Sequence, residues 1–144
     1  MRLENILEEV KVLAAEAGEF IAEQRLNFDT SKVETKHSHD YVSYVDKECE
    51  RRIVARLKEI IPEAGFITEE NTVEQKTEST EYYWIVDPLD GTTNFIHDLA
   101  PYCVSIALRN NQEILLGVVY EVTRKELYSA AKGFGAYLNG IKLQ

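Results

Sequence analysis

YYWIVDPLDGTTNF, Tyr82 to Phe95, begins with five aromatic or branched residues and then turns abruptly to charge, proline and glycine. The opening residues Tyr82 to Val86 predict a strand, because such side chains suit a pleated, half-buried surface. A residue before proline avoids the helical region, so Asp87 is expected at the extended end of that strand. Pro88 suits the second position of a β-turn, in which the first and fourth residues come within about 7 Å. Such a turn sets Asp87 and Asp90 face to face and leaves the carbonyl of Leu89 pointing inward, whereas an offset of three along a straight strand would point the two acids to opposite sides. Gly91 permits close approach of the backbone, and Thr92-Thr93-Asn94 has the composition of a helix start. Helix starts carry free N–H groups and partial positive charge, so this one is suited to receive an anion.

Downstream lie three more strand candidates, Tyr102–Arg109, Ile114–Val122 and Glu126–Ala131. Their links, NNQE and TRK, are too short for a parallel crossover and favour antiparallel neighbours. The closing GFGAYLNGIKLQ reads as strand and turn, and Ile141 and Leu143 make it an odd place for a domain to finish. Upstream, Leu3, Ile6, Leu7, Val10, Leu13, Ala14, Ala17, Phe20 and Ile21 recur at helical spacing. Asn27 to Asp40 is polar and predicts an exposed connection. A second apolar stripe, Val42, Val45, Cys49, Ile53, Val54, Leu57 and Ile61, marks another helix, ended by Pro62. GFIT, Gly65 to Thr68, is a short strand candidate running into Glu69 and Glu70, and NTVEQKTESTE after it reads as a loop. Helices first and strands later predict an α+β fold, two N-terminal helices packed on a largely antiparallel sheet.

The 144 residues suffice for one core. With 16 basic against 25 acidic residues, a formal charge of -9, the chain is unsuited to nucleic acid or an anionic membrane. The acid-dotted N-terminus has neither the apolar core of a signal peptide nor a membrane span. Cys49 and Cys103 stand far apart among apolar neighbours and read as buried thiols, which points to a reducing cytoplasm.

Two carboxylates and a carbonyl converging on one point repel each other unless a cation lies between them, and hard divalent cations prefer such oxygen ligands. Mg²⁺ fits best. Turn chemistry accounts for every residue type in DPLDG taken alone. It does not account for Glu69, at the end of another strand, which would present its carboxylate beside Asp87 if the two strands are neighbours.

Four stretches then carry a family resemblance: GFITEE, WIVDPLDGTTNF, HDLAPYCVSIAL and GVVYEVTRKELYSAAKGFGAYLNG, with DYVSYVDKECE extending it back to Asp40. They resemble the inositol monophosphatase family of Mg²⁺-dependent, lithium-sensitive phosphatases. The resemblance implies that Glu69, Asp87 and the Leu89 carbonyl bind one Mg²⁺ and that Asp87 with Asp90 binds a second. It implies further that Asp46 orients Thr92 beside an attacking water that Glu69 also holds, and that Asp90, Gly91, Thr92 and Thr93 help bind the substrate and its phosphate. Related phosphatases acting on phosphoadenosine phosphate carry a lysine where this chain has Thr93. Glu70 stands either as a further, weaker ligand or as an ordinary loop acid, and Lys36 either near the metals or simply solvated. His37 and His39 read as loop residues rather than a soft-metal site, and His97 is not needed as a base.

Family members continue into a second α/β half with a Trp-Asp-x-x-Ala-Gly type motif, which nothing here matches; the sole tryptophan, Trp84, belongs to the first motif. Residues 1–144 are therefore expected to be the N-terminal, metal-binding half of the layered αβαβα sugar-phosphatase fold. Expected function is hydrolysis of an inositol or similar sugar monophosphate, impaired in this chain, by a homodimer. Fructose-1,6-bisphosphatase activity and a non-catalytic metal- and anion-binding module are the alternatives.

Overall fold

The computed structural model describes residues 1–28, 36–72 and 80–144, with residues 36–38 followed by their backbone only. The first apolar stripe becomes helix α1 (Leu3–Leu26), which buries Leu7, Val10, Leu13, Ala14, Ala17, Phe20 and Ile21 along one side. The second becomes α2 (Lys36–Ile60), with Val45, Cys49, Ile53 and Leu57 wholly buried. Helix α2 begins at Lys36, inside the stretch read as a connection, because no proline or glycine between Lys36 and Asp40 stops the helix from extending by a polar turn. His37 and His39 are thus helical, not loop residues, and His39 is exposed. The rest of the predicted connection, 29–35, and the middle of the predicted loop, 73–79, lie outside the described residues.

The sheet has seven strands in chain order: β1 (Gly65–Thr68), β2 (Tyr83–Asp90), β3 (Cys103–Arg109), β4 (Ile114–Glu121), β5 (Glu126–Ala131), β6 (Gly135–Leu138) and β7 (Ile141–Lys142). Every neighbouring pair is antiparallel except β1 and β2, which run the same way. Between β2 and β3 comes a short helix, α3 (Thr92–His97).

Alternation along the strands sorts side chains to two faces. Trp84 and Val86, Val104, Ile106 and Leu108, and Leu116, Val118 and Tyr120 pair across β2, β3 and β4 and face the helices, all buried. Helix α1 lies over β3 to β5 and α2 over β2. Gly18 lets α1 come down onto β4, since a Cβ there would stand 2.3 Å from the Tyr120 ring. On the opposite face the register lines up Ile67, Ile85, Ala107, Gly117, Ala130 and Ala136, with Asp87, Ser105, Val119 and Tyr128 as the adjoining row. This side is small and apolar, carries a shallow groove of about 340 Å³, and leaves Val119 and Tyr128 exposed.

Candidate metal and phosphate site

Because β1 and β2 are parallel neighbours, with Thr68 opposite Val86, their ends emerge on the same side. The Glu69 N–H continues the ladder by donating to the Val86 carbonyl at 3.3 Å, so Glu69 comes out beside Asp87. Strand β2 runs on through the proline to Asp90, where the sequence predicted a turn at Asp87. Its ladder with β3 is interrupted between Asp87 and Asp90, and an irregularity of this kind tolerates a residue without an N–H. Asp90 still lies near enough for its charge to act on Asp87. Asp87 is half-buried, Asp90 exposed, and the Leu89 N–H donates back to the Asp87 carboxylate.

Burial, then the negative charges of Asp90 and Glu69, push the Asp87 carboxyl up to about 6; the Leu89 N–H opposes them and Glu70 adds to them. Helix α2 contributes from behind. Asp46 and Glu50 stand one helical turn apart on its buried side. Asp46 is raised to about 8, first by burial, then by the charge of Glu70 and a hydrogen bond to it, and after those by Asp87 and Glu50. Its Oδ1 is buried with no partner among the described residues. Between the two acids, the Cys49 thiol donates to the Pro88 carbonyl at 3.7 Å and, pushed up to about 12 mainly by burial, stays protonated.

Beyond Asp90 the chain turns sharply. Gly91 has φ of 97°, and a Cβ there would meet the Pro101 carbonyl oxygen at 2.8 Å, so no other residue fits without a shift. The same carbonyl accepts from Asn94 Nδ2 at 2.8 Å, which fastens α3 to the segment before β3. Gly91 brings no side chain to cap α3, whose first N–H groups are left to other acceptors. Thr92 is half-buried and Thr93 exposed there.

The structure therefore gathers Asp46, Glu69, Glu70, Asp87 and Asp90 around the ends of β1 and β2, with Thr92 one residue beyond Gly91. It does not join Asp46 to Thr92; Asp46 is engaged with Glu70 instead. Among the described residues, no three acidic, histidine or cysteine side chains close round one point as a finished ion cage. Exposed His97 ends α3, and the side chains of Lys36 and His37 lie outside the described residues. Sequence reasoning passed over Glu50. Its signal was present, since Glu50 interrupts the apolar stripe of α2 between Cys49 and Ile53.

Donor chemistry fits a hard divalent cation: these are oxygen acids, two of them raised by burial and then by their neighbours' negative charge, and one buried oxygen has no partner among the described residues. The sequence pattern of the inositol monophosphatase family matches residues 2–144. The chain belongs to that family. "Nus factor SuhB" of Pseudomonas aeruginosa is 39% identical over 132 residues, 91% of this chain and 49% of the relative. A "Fructose-1,6-bisphosphatase/inositol-1-monophosphatase" of Aquifex aeolicus is 36% identical over 142 residues, 99% of this chain and 53% of the relative. The structure of inositol monophosphatase from Anabaena (Nostoc) superposes with a TM-score of 0.79 at 27% identity, covering 100% of this chain and 50% of that one. The chain thus spans about half the length of the family members it matches. None of its described helices is long and apolar enough to cross a membrane.

Proposed function

We propose that residues 1–144 are the N-terminal, metal-binding half of a Mg²⁺-dependent phosphatase acting on an inositol monophosphate or similar small sugar phosphate, in a reducing cytoplasm. The observation that carries this reading is the parallel pairing of β1 with β2, which delivers Glu69 next to Asp87 and Asp90. Glu69, Asp87 and the Leu89 carbonyl would hold one Mg²⁺, and Asp87 with Asp90 a second; neither set calls for three acidic side chains on one ion. When bound, the ions would supply a more acidic attacking water and stabilisation of the leaving oxygen. The chain's own part is to place and orient. Glu69 accepts from the attacking water, Thr92 lines its approach, and Asp46, a buried acid, would orient Thr92 by accepting a hydrogen bond from its hydroxyl. The N–H groups of Gly91 and Thr92, with Thr93, receive the phosphate.

Because the chain spans about half of its relatives, turnover by it alone is expected to be weak. The test is phosphate release in millimolar Mg²⁺, with and without a separately expressed C-terminal half of a full-length relative. Release should rise on mixing and vanish with Asp87→Asn. Full release without Mg²⁺, or unchanged release with that substitution, would refute the reading. The apolar open face also supports self-association, which light scattering would show as a species larger than 16.5 kDa.

A second reading has its own support. Relatives bearing the name Nus factor SuhB are not named for an enzyme activity. Under it the half-site binds metal and anion for assembly or regulation, and the mixing experiment yields binding without release.

A further inference from the structure

Glu50 is fully buried, and both of its oxygens are engaged. Its Oε1 accepts from the Glu70 N–H at 2.9 Å; its Oε2 accepts from the Thr72 N–H at 2.9 Å and also from the Thr72 hydroxyl. Between these donors lies Asn71 with φ of 52°, so the chain reverses inside the grip of the carboxylate. A segment bent in this way cannot offer its N–H groups to a neighbouring strand, and Glu50 accepts them instead. Glu69 precedes the bend and is held on its other side by the ladder bond to Val86. It is therefore fixed from both directions. The adjacent Cys49 bonds the Pro88 carbonyl, so one turn of α2 touches both strand ends that carry the acids.

Three donors satisfy this carboxylate, yet its negative charge also acts on Asp46, one helical turn away, which already feels Glu70 and Asp87. A cation held nearby would offset that charge. We propose that Glu50 is a positioning residue: by gripping the bend at Glu70 to Thr72 it keeps Glu69 beside Asp87, so that those two carboxylates can take up one hard divalent cation. This rests on the metal-binding reading given under Proposed function.

The test compares the full chain with Glu50→Gln, Thr72→Val and, as a control, Leu116→Ala, a buried core residue of β4. Mg²⁺ uptake is measured by titration calorimetry, and protection of the Glu70 and Thr72 amides by hydrogen exchange in metal-free buffer. Glu50→Gln keeps the shape but turns one acceptor into a donor. It should weaken Mg²⁺ binding roughly 10- to 100-fold, as loss of a group that orients metal ligands commonly does, and speed exchange at both amides. Thr72→Val should weaken Mg²⁺ less than Glu50→Gln and carries the test if the latter fails to fold. Leu116→Ala should lose thermal stability while keeping its Mg²⁺ affinity. Wild-type affinity in Glu50→Gln, or an equal loss in Leu116→Ala, would overturn the proposal. A wild-type chain that takes up no Mg²⁺ would instead refute the metal-binding reading. Glu50 would then be judged by exchange alone, and unchanged protection of the two amides would overturn its positioning role.

Discussion

Asp46 and Glu121 are both acids in the interior, 6% and 4% exposed, yet their carboxyls move in opposite directions. Burial works to raise Glu121, but the Thr123 hydroxyl and the N–H groups of Arg124, Thr123 and Tyr102 outweigh it and hold the carboxyl below its ordinary value. Those bonds close the β4–β5 hairpin and tie it to the start of β3. Asp46 has no such donors. It faces other acids, and one of its oxygens has no hydrogen-bond partner among the described residues. The difference is whether the protein itself supplies the positive partner. Glu121 is complete as folded, whereas Asp46 belongs to a group of acids that a cation would complete.

Removing each acid should break that comparison in opposite senses. Glu121→Ala strands several donors at once and is expected to cost about 3 kcal/mol, or about 10 °C in melting temperature, read by calorimetry. A change under about 2 °C would show that the hairpin does not depend on its carboxylate. The next effect is in pH. Asp87 and Asp46, raised to about 6 and about 8, bind protons in the folded state that the unfolded chain has already released. Their contribution to stability is therefore fully present below the ordinary carboxylate range and is lost as pH rises through about 6 and then about 8. In EDTA the melting temperature should drop by about 5 °C between roughly pH 5 and pH 8.5, and millimolar Mg²⁺ should flatten the slope. A melting temperature that climbs across this range without metal would contradict the burial and mutual repulsion of these acids. Smallest is Asp46→Asn, which removes a charge the fold does not neutralise. It should raise the metal-free melting temperature at pH 8 by about 3 °C and remove the upper part of the pH slope.

The fold was largely legible because its signals are local. Nine apolar residues at helical spacing specify α1, and links as short as NNQE and TRK force the antiparallel order from β3 onward. Placing Glu69 beside Asp87 required knowing that β1 pairs with β2, a contact between segments that no local pattern encodes. The course of the chain through Pro88 was misread for a related reason. Local chemistry favours a turn there, but pairing of Asp90 with Cys103 draws the segment into the sheet. Glu50 escaped notice because its meaning depends on the bend at Asn71, twenty-odd residues away, whose donors only the folded chain brings within reach.

Strand β2 separates what surrounds its end into a front and a back. Behind it stand Asp46, Cys49 and Glu50, rooted in a helix that is part of the core; in front, Asp87 shares a row with Ser105, Val119 and Tyr128 on the uncovered side. Ions and solvent can thus come and go at the exposed Glu69 and Asp90 without unpacking a single core residue. If the site holds a cation as proposed, a chelator should strip it while the interior stays closed to exchange for far longer, so the traffic of the site and the opening of the fold run on separate clocks.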